Sequence, residues 1–212
     1  MTQLRITEIF YSLQGETRTV GLPTVFVRLT GCPLRCVWCD TEYSFTGGEK
    51  RSLESILAEV DSYGAHYVCV TGGEPLAQKA CQELLTALCD RGYEVSLETS
   101  GALDIAEVDP RVVVVMDLKA PGSGEMAKNR WENLAHLLPH HQLKFVIADR
   151  QDYDWARMTM DQHGLATTCE ILFSPVHGIE PRVLAEWILA DRLPVRLQVQ
   201  LHKYLWNNEP GH

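Results

Sequence analysis

Residues 24–43, TVFVRLTGCPLRCVWCDTEY, decide how this chain is read. The first seven are rich in β-branched and aromatic side chains and predict a strand. That strand runs directly into a loop carrying Cys32, Cys36 and Cys39, three thiols within eight residues. Outward from it, residues 52–64 predict a helix, with Leu53, Ile56, Leu57 and Val60 spaced along one face. Residues 66–71 predict a second strand. Residues 76–90 predict a helix with Leu76, Ala80, Leu84 and Leu88 on its buried stripe and Gly92 just beyond its end. Further strands are predicted at 94–99, 111–117, 142–147, 170–175 and 195–200. Helices are predicted at 152–163 and at 181–190, where Pro181 suits a first turn.

Strand-then-helix alternation points to a parallel sheet with right-handed crossovers. Several strands are apolar without clear alternation, as expected where both faces are covered. Six or seven such units suit an open barrel better than a closed eightfold one, which takes about 250 residues. The expected fold is therefore α/β, a partial (open) TIM-like barrel of parallel strands, forming one domain over residues 1–212.

Composition is that of an ordinary globular chain, 45% hydrophobic and 22% charged. No apolar run has membrane-spanning length, and MTQLRITEIF lacks the layout of a secretion signal. A cytoplasmic protein with no membrane partner is expected. The net charge of −9, without Lys/Arg clusters, argues against nucleic-acid binding. Seven cysteines, an odd number, with no export signal read as metal or redox chemistry rather than a disulfide framework.

In parallel α/β sheets the chemistry sits in loops after the C-terminal strand ends. Those loops here are polar and glycine-rich: TGCPLRC, TGGEP, ETSG and MDLKAPGSG, all expected on one rim. A structural zinc site wants four ligands, commonly in two separated pairs. This chain offers one C-x3-C-x2-C loop and no second pair. Cys69, Cys81, Cys89 and Cys169 read as buried core thiols. Three thiolates suit a [4Fe–4S] cluster with one iron left open. The alternative is an incomplete zinc knuckle completed by His140 or His141. Both of these, with His136, are otherwise expected on a solvated loop, and Trp155, Trp187 and Trp206 as packing or dimer-contact residues.

The cysteine triad after a first strand, followed by GGEP after the second, resembles the radical S-adenosylmethionine (SAM) superfamily. That resemblance implies SAM chelated to the open iron and cleaved to a deoxyadenosyl radical. It places Trp38 near the adenine and gives Glu74 a charge-assisted hydrogen bond to the methionyl ammonium. The two glycines before Glu74 let backbone approach a ligand closely.

The flanking segments EIFYSLQGET (8–17), FVRLTGC, CDT and the C-terminal LQVQLHKYL resemble the 7-carboxy-7-deazaguanine synthases, over nearly the whole chain. The family contracts the ring of 6-carboxy-5,6,7,8-tetrahydropterin with loss of ammonia, recycling SAM. The resemblance implies substrate contacts at Leu13, Gln14, Gly15, Glu16, Arg28, Thr71 and, by analogy with the family's tail, Pro210. Arg28 would pair with the substrate carboxylate; its plain alternative is an exposed strand arginine. Mg²⁺ is implied at Thr41, although CDT equally reads as a turn closing the cysteine loop. SAM contacts are implied at Trp38, Cys39, Asp40, Gly73, Glu74, Ser100, Asp117 and Lys119, the last alternatively a solvated loop charge. A homodimer and a reducing partner such as flavodoxin or ferredoxin complete the expectation. The rivals are a glycyl-radical activating enzyme, which SLQGE and CDT disfavour, and a non-catalytic Fe–S module, which would want four cysteines.

Overall fold

The computed structural model describes residues 2–176, 179–207, 209 and 211. The chain opens with β1 (Gln3–Leu13), antiparallel to β2 (Pro23–Leu29). After the cysteine loop come β3 (Glu49–Ser52), antiparallel to β1, and α1 (Leu53–Ser62). There follow β4 (Tyr67–Gly72), α2 (Cys81–Asp90), β5 (Glu94–Thr99), β6 (Val113–Asp117) and β7 (Gln142–Ile147). The described elements end with α3 (Arg150–His163), β8 (Glu170–Pro175), α4 (Pro181–Asp191), β9 (Arg196–Leu197) and α5 (Leu201–Trp206).

The sheet order is β3-β1-β2-β4-β5-β6-β7-β8-β9, and every pairing from β2 onward is parallel. The sheet does not close on itself, so the fold is an open, TIM-like α/β half-barrel. It departs from an all-parallel one through β1 and β3, which the sequence reading left out. The helix expected at 76–90 starts only at Cys81, because Pro75–Ala77 form a separate 3₁₀ turn capped by Glu74. The strand expected at 195–200 shrinks to Arg196–Leu197, and the chain turns into α5 instead.

Local chemistry explains the helix ends. The Ser52 side chain accepts from the Ser55 amide at the start of α1 (3.2 Å), and Asp149 accepts from Asp152 at the start of α3 (2.9 Å). Gly164, at φ +62°, ends α3 in the left-handed region.

The period-2 alternation of the parallel strands sorts the chemistry. Outward positions are apolar and buried against the helices: Val25, Val27 and Leu29, Val68 and Val70, Val95 and Leu97, Val114 and Met116, Leu143, Phe145 and Ile147, Ile171 and Phe173. One core cluster joins β1, β2, β4 and β5 to α1 and α2; a second joins β6–β8 to α3 and α4 and takes Trp155 and Trp187 at its margin. Each fully buried branched or aromatic side chain contributes about 1.5–3 kcal/mol. Inward positions carry Arg28, Thr71, Glu98, Asp117 and Lys144 instead, and these face the cavity described below. Cys69, Cys81, Cys89 and Cys169 are buried, as the sequence indicated.

The histidine loop corrects one expectation. His141 is only 4% exposed, and its Nδ1 accepts the Leu138 amide at 3.1 Å. Burial, the neighbouring His140 ring and Arg18 push its pKa down to about 4, against weaker support from the Val112 backbone. A histidine whose folded pKa is depressed stabilises the fold above its unfolded pKa of about 6.5 and withdraws that support as pH falls. Between pH 6.5 and about 4 this site is expected to cost on the order of 2–3 kcal/mol. Urea unfolding at pH 7.5 and pH 5 checks it: His141→Gln should lose less stability across that interval than the wild type.

Candidate active site

A cavity of about 720 Å³ opens at the C-terminal rim of the parallel strands. Its wall includes Leu13, Gln14, Gly15, Glu16, Arg28, Cys32, Cys36, Trp38, Cys39, Asp40, Thr41, Thr71, Gly73, Ser100, Asp117 and Lys119. All were singled out from sequence, and the fold gathers them from six separate segments. Pro210 lies outside the described residues. Glu74 alone does not reach the wall.

The structure gives Glu74 other work. Its carboxylate is 0% exposed and accepts from Leu76 N (2.9 Å), from Thr99 Oγ1 (3.0 and 2.9 Å), and from both the amide (2.7 Å) and hydroxyl of Ser100. Its lone pairs are thus occupied by the chain's own donors, tying the loop after β4 to the loop after β5. The contact to a methionyl ammonium expected from sequence would have to be made by a carboxylate already holding these donors.

The two glycines before it are explained by close backbone: a Cβ on Gly72 would lie 2.4 Å from the Leu29 carbonyl at the end of β2. A Cβ on Gly73 would lie 2.5 Å from the Gly31 carbonyl and 2.7 Å from Cys32 Cβ. The Glu74 amide donates to that same Gly31 carbonyl at 2.7 Å. The turn after β4 therefore seats the start of the cysteine loop. The far side of that loop is held by Arg35, which donates to the Cys32 and Leu34 carbonyls (2.8 and 2.6 Å) and stacks on Phe45 at 4.1 Å. The Val37 amide donates to the Ser123 carbonyl at 3.1 Å.

All seven cysteines are free thiols. Among the described residues, no three His, Cys, Asp or Glu side chains converge on a point that would hold a single metal ion. By donor chemistry, three thiols on one loop suit a [4Fe–4S] cluster, whereas a zinc knuckle wants four ligands. Burial pushes the Cys36 and Cys32 thiols up, and the Lys119 ammonium pulls both back toward the thiolate. Lys119 is not a solvated loop charge: it is mostly buried and pairs with Asp117 at 2.7 Å.

Asp117 belongs to a mostly buried chain of charges along the cavity wall. Lys144 Nζ reaches Glu16 Oε2 at 2.9 Å and Asp117 Oδ1 at 3.3 Å. Burial alone would depress that ammonium, yet Asp117, Glu16 and Glu98 hold it well above its usual range. Glu98, which accepts from Thr71 Oγ1 at 3.0 Å, is pushed up by burial and by Glu16, with Lys144 opposing. Lys144 and Glu98 were missed from sequence. For Lys144 the signal was there, since it is the one charge in QLKFVI; Glu98 shares its alternation with Glu94 and Ser96 and did not stand out.

The C-terminal segment closes the rim. The Leu201 amide donates to the Gly15 carbonyl (2.9 Å), and Gln200 Nε2 to Glu16 Oε1 (2.9 Å) and Asp40 Oδ2 (3.1 Å). Lys203 Nζ also meets Asp40 Oδ2 at 3.1 Å. His202 packs on Gly15 so closely that a Cβ there would lie 2.5 Å from its Nδ1. Gln200, His202 and Lys203 were quoted in the C-terminal motif but not assigned to the site. Among the described residues, Gln14 Nε2 is buried with no nitrogen or oxygen partner, and Arg28 is held through its Nε, on Glu8 at 2.7 Å. Thr41 Oγ1 stands 3.7 Å from Cys39 Sγ.

A parallel half-barrel with a three-thiol loop at its rim is the frame of radical SAM proteins, and residues 26–116 match the Radical SAM superfamily. Among curated relatives, a 7-carboxy-7-deazaguanine synthase from Chlorobaculum tepidum is 49% identical over 208 residues, 96% of this chain and 94% of its own length. Another from Koribacter versatilis is 45% identical, covering 97% of this chain and 98% of the relative. The crystal structure of QueE from Escherichia coli superposes with a TM-score of 0.78 at 25% identity, over 94% of this chain and 95% of that one. The fold extends to Streptococcus suis SuiB, at a TM-score of 0.56 and 11% identity over 80% of this chain and 47% of that one. The chain belongs to the 7-carboxy-7-deazaguanine synthase family.

Proposed function

We propose that this chain converts 6-carboxy-5,6,7,8-tetrahydropterin into 7-carboxy-7-deazaguanine with release of ammonia, a ring contraction on the route to queuosine and related deazapurines. The observation that carries the reading is the polar wall beside the three thiols. A tetrahydropterin presents an amide-like edge of donors and acceptors and, here, a carboxylate. Among the described residues, Gln14 Nε2 is a buried donor with no nitrogen or oxygen partner, and Arg28 is held through its Nε. Leaving the buried Gln14 donor unsatisfied costs about 1–3 kcal/mol, which a ligand of that shape recovers, and Arg28 offers it an open charged edge.

Cys32, Cys36 and Cys39 would hold the [4Fe–4S] cluster, which with SAM on its open iron supplies a carbon radical able to take a hydrogen from the substrate. The remaining work belongs to the chain. Lys119 stands beside the thiols and offsets the negative charge they gain on deprotonation. Arg28 takes the substrate carboxylate end-on, since its Nε is already spent. Glu98, held toward its neutral form by burial, supplies a carboxyl that can face a ring N–H or a ring oxygen according to its proton. Gly73, Ser100, Trp38 and Cys39 line the SAM end; Leu13, Gly15, Glu16 and Thr71 line the substrate end.

Mg²⁺ would sit at Thr41, whose hydroxyl lines the cavity, with Asp40 adjacent and the substrate's own oxygens and water filling the other positions. The chain acts as one domain over residues 1–212, as a cytoplasmic homodimer reduced by a flavodoxin or ferredoxin. Among the described residues no helix is long and apolar enough to cross a membrane. Exposed Leu189, Tyr204 and Leu205 offer apolar surface for a second copy. The relatives match this chain over nearly its whole length, which favours the pterin over a protein substrate.

The test is anaerobic incubation of the reconstituted protein with dithionite, SAM, Mg²⁺ and the carboxytetrahydropterin, followed by mass spectrometry. 7-Carboxy-7-deazaguanine over many turnovers, with SAM largely preserved, is the expected result. Deoxyadenosine without the deazaguanine would overturn the substrate assignment.

A further inference from the structure

We propose that Glu8 is the positioning residue that aims Arg28 into the cavity, and that a bulge in β1 exists to place it there. The inference rests on the reading of Arg28 as the partner of the substrate carboxylate. Glu8 itself is not on the cavity wall; it works through the arginine.

The register of β1 on β2 carries the argument. Ile6 pairs with Leu29, and unbroken pairing would set Thr7 opposite Arg28. The ladder shifts between Ile6 and Glu8, so that Glu8 stands opposite Arg28 instead. One inserted residue turns a carboxylate onto the face where the guanidinium lies, the kind of re-aiming that bulges perform. The irregularity is pinned from outside the strand. Gln78 accepts from the Arg5 amide (2.8 Å) and donates to the Arg5 and Thr30 carbonyls (2.9 and 3.0 Å). Thr7 and Thr30 hydroxyls close the gap at 2.8 Å.

The result is a bracket around Arg28. Glu8 Oε1 accepts from Arg28 Nε at 2.7 Å and from Tyr43 Oη at 2.8 Å. The rings of Phe10 and Tyr43 lie 5.8 and 5.9 Å from the guanidinium carbon. Burial and Glu8, against the opposing pull of the Arg28 cation, leave the Tyr43 hydroxyl a donor at any physiological pH, with its pKa pushed up to about 12. An arginine side chain has four rotatable bonds, and fixing it in advance spares an anionic ligand that ordering cost. With Nε held, the edge left for the ligand is the terminal nitrogen pair, which matches a carboxylate in two parallel bonds.

The experiment uses the reconstituted, cluster-loaded enzyme with Glu8→Ala and Glu8→Gln. Two ligands are compared: the 6-carboxytetrahydropterin as substrate, and a tetrahydropterin without the carboxylate as competitive inhibitor. Glu8→Ala is expected to raise KM for the carboxylated substrate about tenfold while leaving kcat and the inhibitor's Ki within about threefold. Glu8→Gln keeps an acceptor for Arg28 and Tyr43 and should restore KM to within about threefold of wild type. Equal weakening of both ligands in Glu8→Ala would show a merely structural role and overturn the inference, as would an unchanged KM. Gln behaving like Ala would assign the effect to charge rather than aim, and overturn it too. If the wild type binds the carboxylate-free pterin as tightly as the carboxylated one, the assignment of Arg28 itself fails, and the role of Glu8 with it.

Discussion

Cys36→Ala is expected to lose the iron–sulfur chromophore and all turnover, while Cys81→Ala keeps both. The two residues are the same chemistry in opposite surroundings. Cys36 lies on the cavity wall, half-buried, with Lys119 near enough to favour its thiolate. A three-thiol loop has no spare ligand, because Cys81, Cys89 and Cys169 lie buried in the apolar cores and Cys69 is buried within β4, beside Glu98, Ser96 and Gln14. Cys81 is 0% exposed among apolar side chains, and burial pushes its thiol far above the range in which it would ionise. Truncating it removes one buried atom and is expected to cost on the order of 1 kcal/mol, with no effect on the metal. Iron and sulfide content, together with the visible absorption band of the anaerobically purified variants, reads both outcomes. Equal loss of iron from the two would refute the ligand assignment.

Lys144→Met is expected to give the largest loss of stability of any single charge substitution in the cavity. The methionine fills similar volume but leaves Glu16, Asp117 and Glu98 without the cation they surround. Removing one partner of a buried ionic group typically costs about 3–5 kcal/mol, because the remaining charges stay desolvated. Chemical unfolding at pH 7.5 should show a deficit of that order. The sign of its pH dependence is also set. Without Lys144 the folded-state pKa of Glu98 rises further, and a raised carboxyl pKa contributes stability as pH falls through it. The deficit relative to wild type should therefore shrink toward pH 5. A deficit below about 1 kcal/mol at pH 7.5 would mean that the ion chain is solvated rather than buried.

Much of this was legible in the sequence because it is local. The strands read at 94–99, 142–147 and 170–175 coincide with β5, β7 and β8, whose β-branched density needs no partner to declare itself. The polar loops after them converged as the topology of parallel sheets requires. β1 was not legible, because the bulge between Ile6 and Glu8 breaks the alternation that would have announced a strand. Glu98 and Lys144 were passed over because these strands read as covered by apolar packing on both faces. Only one face is, and the inward one is a charged wall.

The anchoring role of Glu74 depends on Thr99 and Ser100, brought to it by the pairing of β4 with β5. No spacing rule within the GGEP turn carries that information. Gln200, His202 and Lys203 illustrate the same limit from the other end. Their partners Gly15, Glu16 and Asp40 lie more than 150 residues away, and a six-residue helix without buried side chains leaves little hydrophobic pattern.

The central claim is that one cavity brings a radical source and a carboxylated pterin together. The most direct measurement follows the substrate hydrogen. Substrate deuterated at C6 is incubated with the reduced, SAM-loaded enzyme, and the recovered SAM is analysed by mass spectrometry. Deuterium in the recovered SAM, accumulating with turnover alongside 7-carboxy-7-deazaguanine, is the predicted result. Product formed with no deuterium in SAM would contradict the account, since the hydrogen would then leave the substrate by a route that does not pass through this site's radical.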